Sequence, residues 1–137
     1  MYLFDTDTLS NVVKRKPIEF LKNKLAALPK ESQYTSSITL GEIYYGANKT
    51  DRKEQILSAF EEKVFPNVNV LPFDEKSAKI FGQLKAKLEK KGTGCSEPDL
   101  RIASIAIQHK LTLITGNTKH FKNIPGLKTE NWLMIKQ

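Results

Sequence analysis

The chain alternates short apolar runs with longer segments in which apolar residues recur every three or four positions. The short runs predict strands at Tyr2–Phe4, Gln33–Ser37, Val68–Leu71 and Leu111–Ile114, with an edge strand at Lys128–Trp132. The longer segments predict helices over residues 8–15, 17–28, 40–48, 52–64, 75–91 and 97–109. Strands that alternate with helices indicate an α/β fold built on a mainly parallel sheet.

The segment 75–91 has the clearest helical pattern. Four apolar residues are predicted to share one of its faces: Ala78, Phe81, Leu84 and Leu88. Gly92 follows as a natural stop, because glycine adopts the left-handed conformation that ends many helices. Pro17 is predicted at the start of the second helix, where its missing N–H group is not needed.

The composition of the chain indicates which class of partner it binds and which cellular compartment suits it. The 137 residues suffice for a single domain spanning residues 1–137, and 22 Lys and Arg against 15 Asp and Glu give a net charge of +7. A basic balance of this size favours nucleic acid as a partner. Cys95 is the only cysteine, which excludes an internal disulfide and fits a reducing cytoplasm. We find neither a basic-then-apolar leader nor an apolar run of membrane-spanning length, and so expect a soluble cytoplasmic protein.

Acidic and amide side chains lie near predicted strand ends. Asp5 and Asp7 follow the first strand, Glu42 and Asp99 follow Thr39 and Ser96 by three residues, and Asn117 lies just past the fourth strand. Ligands of open parallel sheets bind outside the carboxyl ends of the strands. Grouped carboxylates repel unless a divalent cation offsets the repulsion, and hard oxygen ligands suit Mg²⁺ or Mn²⁺. On a basic chain, this predicts a metal site acting on a phosphodiester.

Each acid also has an ordinary structural interpretation. Asp5 could cap the next helix, although Asp7 or Thr6 could do so instead, and an unpaired buried carboxylate is costly. We therefore favour a functional Asp5, whereas Asp7 is either an N-cap or a second acid of the site.

Glu42 and Asp99 could each complete a capping box, with Thr39 and Ser96 as the respective first residues. Helix N-termini also stabilise anionic side chains, so capping and metal binding can coexist near one helix end. Glu97 is interpreted as a first-turn charge rather than a ligand.

The remaining polar and aromatic candidates have weaker patterns. Asn117 is either a turn residue or a neutral oxygen that binds a metal or orients a water. His109 and His120 have no metal-ligand spacing and are assigned surface or packing roles. Phe121 and Trp132 are interpreted as core anchors, with base stacking by Trp132 as an alternative.

Several segments together make the sequence resemble the PIN-domain ribonucleases, and within them the VapC toxins of bacterial toxin–antitoxin pairs. The matching pieces are Leu3–Asp7, Ser37–Ile43 with Gly46, Gly92, Gly94, Asp99–Leu100, Ile102–Ala103, Thr115–Phe121, Pro125–Leu127 and Asn131–Trp132. Their order and spacing extend the resemblance over nearly the whole chain.

The resemblance implies that Asp5, Glu42 and Asp99 are metal-binding and catalytic, with Asn117 as a further catalytic residue. It implies a three-layer α/β/α sandwich, Mg²⁺ or Mn²⁺ as cofactor, and cleavage of RNA, with transfer RNA as a reasonable substrate. It also implies a homodimer and a small inhibitory antitoxin. Asp7 stands where the family often has Asn, and Asn117 where many PIN domains have Asp.

Two other functions fit parts of the sequence. Asp5-Thr6-Asp7-Thr8-Leu9 is similar to the nucleophile motif of haloacid-dehalogenase-type phosphatases, in which Asp5 would be phosphorylated and Asp7 would act as general acid. That interpretation leaves Glu42 and Asp99 unexplained. A non-catalytic RNA-binding module would bind RNA without cleaving it and without depending on the acids.

Overall fold

The computed structural model describes residues 1–134, so the last three residues of the predicted domain lie outside the described part. The strands are β1 (Tyr2–Phe4), β2 (Gln33–Ser36), β3 (Asn69–Leu71), β4 (Thr112–Ile114) and β5 (Thr129–Glu130). The helices are α1 (Thr6–Val12), α2 (Glu19–Ala26), α3 (Ser37–Asn48), α4 (Lys53–Lys63), α5 (Glu75–Lys90), α6 (Glu97–His109) and α7 (Thr118–Phe121). Short 3₁₀ turns occur at Lys30–Ser32 and Phe65–Asn67.

The five strands form one sheet in the order β3-β2-β1-β4-β5, and every neighbouring pair is parallel. In the register of the central pair, Phe4 of β1 lies beside Ile114 of β4. The chain moves outward from β1 through β2 and β3 in one direction, and through β4 and β5 in the other. The carboxyl ends of β1 and β4 therefore meet at a topological switch point, where parallel sheets bind ligands.

Helices cover both faces of the sheet. On one face, Leu3 and Leu113 pack with residues of α5, α6 and α7. On the other face, Phe4 and Ile114 pack with residues of α1 to α4 and with Trp132. Neighbouring residues of one strand thus point into opposite cores, as the two-residue period of a strand requires. The predicted three-layer α/β/α sandwich is confirmed.

The observed element boundaries differ from the predicted ones mainly where a side chain caps a helix. The α6 helix has the predicted bounds, and the edge strand is shorter than predicted but present as β5. The α1 helix starts at Thr6, two residues earlier than predicted, because Asp5 caps it. Pro17 is not at a helix start, since α2 begins at Glu19. The turn of α7 was not predicted.

The predicted apolar face of α5 is only partly correct. Leu84 and Leu88 are buried and Phe81 is half-buried, but Ala78 is exposed. Ser77 is buried instead, because it forms a capping box with Asp74 at the start of the helix. Phe121 and Trp132 are buried, which confirms both as core anchors. No helix within residues 1–134 is long and apolar enough to cross a membrane.

Candidate active site

Asp5 lies directly after β1, at the switch point of the sheet. Its main-chain N–H donates to the carbonyl of Ile114, and its carboxylate accepts a 3.0 Å hydrogen bond from the N–H of Thr8. Asp5 is therefore the N-cap of α1, and the interpretations that gave this role to Asp7 or Thr6 are wrong. Burial raises the pKa of Asp5, although hydrogen bonds from Thr115 and Thr8 oppose the rise. Asp5 is only 8% exposed, so the ionised form of its carboxyl group loses solvation free energy in the folded protein.

Glu42 reaches the same region from α3. The hydroxyl of Thr6 donates a 2.9 Å hydrogen bond to Oε1 of Glu42, which fixes the carboxylate beside the start of α1. The predicted capping box with Thr39 is wrong, because α3 begins earlier and is capped by the Ser36 hydroxyl. Glu42 is thus free of a capping role. Desolvation of its carboxyl raises its pKa, and the charges of neighbouring acids raise it further.

Asp99 is the third residue of α6. Its main-chain N–H donates to the hydroxyl of Ser96 at 3.3 Å, so Ser96 caps the helix as predicted. The Asp99 side chain contributes to raising the pKa of Glu42, which places the two carboxylates within electrostatic reach of each other. Glu97 lies outside this group and pairs with Lys85 at 2.7 Å, which confirms its role as a surface charge.

Asn117 follows β4 and joins the site from the other side. Its Nδ2 donates a 2.9 Å hydrogen bond to Oδ2 of Asp7, and its main-chain N–H donates to the hydroxyl of Thr115. Asn117 is the N-cap position of α7 but its side chain makes no capping hydrogen bond. The contact orients both side chains at the edge of the acidic cluster.

His120 is the site residue that the sequence interpretation missed. Its Nδ1 lies 3.6 Å from Oδ2 of Asp99, within ion-pair distance if the imidazole is protonated. An isolated histidine gives no spacing signal, and only the turn of α7 brings it back toward α6. Thr6 and Thr115 were likewise not assigned to the site, since their role depends on which carboxylates their hydroxyls reach. His109 is not part of this group.

These side chains line one small cavity of about 80 Å³. Its lining residues are Asp5, Thr6, Asp7, Glu42, Asp99, Ile102, Thr115, Asn117, His120 and Phe121. The structure thus brings together all four predicted catalytic residues.

The donor set fits a hard cation that keeps part of its water. Within residues 1–134, no three His, Cys, Asp or Glu side chains converge closely enough to form a complete metal cage. Mg²⁺ does not need one, because it usually retains several waters and binds proteins through one or two carboxylates. Burial is the main cause of the raised pKa of Glu42, and the charges of Asp99, Asp5 and Asp7 raise it further; a cation would offset that repulsion.

A second cavity, of about 690 Å³, lies away from the acids beside α1, α2 and the end of α4. Apolar side chains such as Leu9, Leu21 and Val64 form part of its lining. Basic residues also line it: Lys14, Arg15, Lys22, Lys30 and Lys63. Its composition suits a segment that carries apolar and acidic side chains.

The chain is similar to known proteins along almost its whole length. The family model for the PIN domain matches residues 2–127. Ribonuclease VapC2 of Haemophilus influenzae is 35% identical over 134 residues, which cover 96% of this chain and 98% of that relative. The tRNA(fMet)-specific endonuclease VapC of Salmonella typhimurium is 34% identical over 131 residues, covering 96% and 97%.

The fold of a solved complex is also closely similar. The crystal structure of VapBC2 from Rickettsia felis bound to a promoter DNA fragment contains a chain that matches with a TM-score of 0.88. That chain is 36% identical, and the match covers 96% of this chain and 98% of the other. From the family match over residues 2–127 and these full-length similarities, we conclude that the chain belongs to the PIN-domain family.

Proposed function

We propose that this chain is a Mg²⁺- or Mn²⁺-dependent endoribonuclease, a single PIN-like nuclease domain that acts in the cytoplasm as the toxin of a type II toxin–antitoxin pair. The observation that carries the proposal is the convergence of Asp5, Glu42 and Asp99 on one small cavity at the switch point of the sheet. Membership of the PIN family and similarity to ribonucleases named VapC support it.

Asp5, Glu42 and Asp99 would hold the cation, in part through the waters that Mg²⁺ retains. When bound, such an ion activates water and stabilises negative charge on the phosphate and the leaving oxygen. Hydrogen bonds orient two of these side chains before a cation binds. The main-chain N–H of Thr8 donates to the Asp5 carboxylate, and the hydroxyl of Thr6 donates to the Glu42 carboxylate. Ligands that are already oriented need little reorganisation as the reaction proceeds.

Two further side chains would position the substrate and the attacking water. Asn117 uses its amide hydrogen to bind Asp7, which leaves its carbonyl oxygen able to accept a hydrogen bond from a water. His120 lies beside Asp99 in the lining of the cavity, where its imidazole can donate to a phosphate oxygen. Both roles align groups rather than supply charge, so we expect them to affect rate more than metal affinity.

The proposed substrate is RNA, and transfer RNA is the first candidate because relatives are named tRNA(fMet)-specific endonucleases. The net charge of +7 supplies a general attraction for phosphates. Sequencing of the cleavage products identifies the phosphodiester that is cut.

The proposed partner is a small antitoxin protein. Similar chains were solved in VapBC complexes from Rickettsia felis and Salmonella typhimurium. The 690 Å³ cavity, with its apolar lining and basic side chains, is a suitable place for an acidic, apolar antitoxin segment. Expression of the chain alone should arrest growth, and co-expression of the neighbouring small gene should restore it. Normal growth despite soluble, RNA-cleaving protein would reject the toxin role.

We also propose a homodimer, which the family resemblance implies. Sedimentation equilibrium of the purified chain should give twice the mass expected from its 15.5 kDa protomer. A single species of one protomer's mass at all concentrations would reject the dimer.

One experiment separates the nuclease from both alternative functions. Purified protein is incubated with total RNA in Mg²⁺, in Mn²⁺ and in EDTA, and in parallel with a generic phosphate monoester. We expect discrete RNA cleavage that stops in EDTA, with no release of phosphate from the monoester. Phosphate release without RNA cleavage would favour the phosphatase, and RNA binding without cleavage would favour the non-catalytic module.

A further inference from the structure

A further cavity adjoins the acidic one across the hydrogen bond between Asp7 and Asn117. These two residues line both the 80 Å³ cavity of the acids and a cavity of about 450 Å³, which we call the polar cavity. Its volume falls in the range of sites that bind small ligands. Besides Asp7 and Asn117, the polar cavity is lined by Ser10, Asn11, Lys14, Gly116, Asn131, Leu133 and Met134.

One wall of the polar cavity is a polar face of α1. Asp7, Ser10 and Asn11 are three and four residues apart, so they share one face of the helix. Lys14 continues this line just beyond the helix end, where its main-chain N–H donates to the carbonyl of Asn11. Asn11 lies about 6 Å from Asp7 along the helix axis. The wall therefore leads from a carboxylate beside the acids to a positive charge away from them.

Asn11 presents two hydrogen-bond donors to the polar cavity. It is only 6% exposed, and its Oδ1 accepts a 3.0 Å hydrogen bond from the main-chain N–H of Ile18. This bond and the close packing fix the orientation of the amide. Within residues 1–134, no acceptor pairs with its Nδ2 group, so both N–H bonds are available to a ligand.

The charges of the polar cavity suit a phosphate at the end away from the acids. Of the described residues that line it, Lys14 is the one cation, and Asp7, the one carboxylate, already accepts from Asn117. The hydroxyl of Ser10 can donate beside Asn11 and Lys14. Hydrogen bonds from such donors to an ionised phosphate are stronger than those between neutral groups. The opposite wall adds apolar surface from Leu133 and Met134, against which a nucleoside can pack.

We propose that the polar cavity binds the nucleotide next to the scissile phosphodiester. The scissile group lies among the acids, the strand crosses the bond between Asp7 and Asn117, and the next phosphate binds Lys14, Asn11 and Ser10. Contacts to phosphates set the register of a strand and carry no direct information on the base. The polar cavity thus determines which bond of a bound strand reaches the acids. This inference rests on the proposed ribonuclease function and deepens it.

The first test measures RNA affinity separately from cleavage. Variants are made in an Asp5→Asn background, which is expected to bind RNA without cutting it. The probe is a fluorescein-labelled synthetic RNA of about 12 nucleotides that contains the bond cut by the wild type, followed by anisotropy in Mg²⁺. Lys14→Gln should weaken binding by roughly 5- to 10-fold. Lys79→Gln removes an exposed charge that lines none of the three cavities, and should stay within about twofold.

Asn11→Asp tests the amide donors without removing the oxygen that binds Ile18. It places a carboxylate oxygen where the amide group was, so it should weaken RNA binding by at least about 10-fold. Asn23→Asp on the exposed side of α2 controls for the added charge and should stay within about twofold. Circular dichroism checks that each variant is folded. If Asn11→Asp does not fold, Ser10→Ala takes its place, with an expected loss of about twofold to fivefold.

A second test locates the phosphate that Lys14 binds. Single linkages of the probe are replaced by neutral methylphosphonates. Replacement of the linkage next to the cleaved bond should weaken binding to the parent protein, and that loss should vanish in Lys14→Gln, because both changes remove the same contact. Lys14→Gln should also reduce the slope of log affinity against log salt by about 0.7.

The outcomes separate this inference from the proposed function. Unchanged RNA affinity in folded Lys14→Gln and Asn11→Asp, while the wild type cleaves RNA, would overturn the subsite and leave the ribonuclease intact. Coupling of Lys14 to a linkage distant from the cleaved bond would also overturn it. If Lys14→Gln impairs only the rescue of growth by the neighbouring small gene, the cavity serves the antitoxin instead. If the wild type neither binds nor cuts RNA, both proposals fall.

Discussion

The side-chain amide of Asn117 donates a 2.9 Å hydrogen bond to the carboxylate of Asp7. These residues are 110 positions apart in the chain, and they follow the adjacent strands β4 and β1. The bond ties the two loops of the switch point together at the edge of the acidic cavity. It also gives both side chains a hydrogen-bond partner, although neither side chain caps a helix.

This contact makes a prediction about Asn117. Asn117→Ala should lower the maximal rate of RNA cleavage by about 10-fold, in line with the loss of one hydrogen bond to a charged group. The Mg²⁺ concentration needed for half-maximal rate should rise only modestly. Asp99→Ala, by contrast, should impair metal binding itself. Cleavage rate against Mg²⁺ concentration, with metal binding titrated separately, distinguishes the two. Wild-type rates for Asn117→Ala at every Mg²⁺ level would reduce Asn117 to a turn residue.

The burial of Asp5 predicts that its carboxylate lowers the stability of the metal-free protein but is needed for stabilisation by a metal ion. Because burial disfavours the charged carboxylate, Asp5→Asn should raise the melting temperature of the metal-free protein. In the wild type, Mn²⁺ at about 100 times its dissociation constant should add about 2.7 kcal/mol to the free energy of unfolding. Asp5→Asn should lose most of that gain. Equal Mn²⁺ stabilisation of both proteins, measured by thermal unfolding, would exclude Asp5 as a ligand.

Asp74 predicts a pH dependence of stability that is independent of the site. Hydrogen bonds from the Ser77 main chain and from Gln108 lower its pKa from 3.8 to about 2. A depressed pKa means that the folded state favours the ionised form. Its contribution is therefore fully present above about pH 4 and is lost as the pH falls through about 2.

Substitution tests this directly. The difference in melting temperature between wild type and Asp74→Asn should shrink as the pH is lowered from about 5 to about 2. Glu75→Gln removes the neighbouring exposed carboxyl and controls for net charge. A difference that stays constant over this range would show that the Asp74 charge does not stabilise α5.

Trp132 predicts a large loss of stability on truncation. It is 2% exposed, and its ring lies 4.9 Å from Tyr2 and 5.6 Å from Phe4, measured between centroids. Trp132→Ala should reduce the free energy of unfolding by about 3–5 kcal/mol, as is usual for a buried aromatic. Trp132→Phe should lose less, because it preserves part of the packing. Denaturant unfolding followed by circular dichroism measures both; a loss below about 1 kcal/mol for Trp132→Ala would contradict the core role.

The sequence predicted the elements whose signals are local. The α6 helix was predicted at both ends, because Ser96 marks its start and the apolar pattern continues to His109. Asp5, Glu42 and Asp99 were predicted to meet because the carboxyl ends of parallel strands share one edge of the sheet. The resemblance to PIN domains pointed to the same residues.

The errors occurred where a side chain had more than one possible partner. Asp5 both caps α1 and lines the cavity, whereas the sequence treated these as alternatives. Glu42 matched a capping-box spacing with Thr39, but the hydroxyl of Ser36 starts the helix three residues earlier. His120 had no metal-ligand spacing, since its proximity to Asp99 depends on the packing of α7 against α6. Partner choice of this kind is set by tertiary structure.

The central claim is that the carboxylates at the switch point carry out metal-dependent cleavage of RNA. The most direct test compares Asp99→Asn with Glu97→Gln, two charge-removing substitutions in the first turn of α6. Asp99 lines the cavity, whereas Glu97 pairs with Lys85 on the surface. With purified, folded proteins and a transfer RNA pool in Mg²⁺, Asp99→Asn should cut at least about 100-fold more slowly than wild type, and Glu97→Gln should stay within about threefold. Undiminished cleavage by Asp99→Asn, in preparations free of contaminating nuclease, would contradict the account.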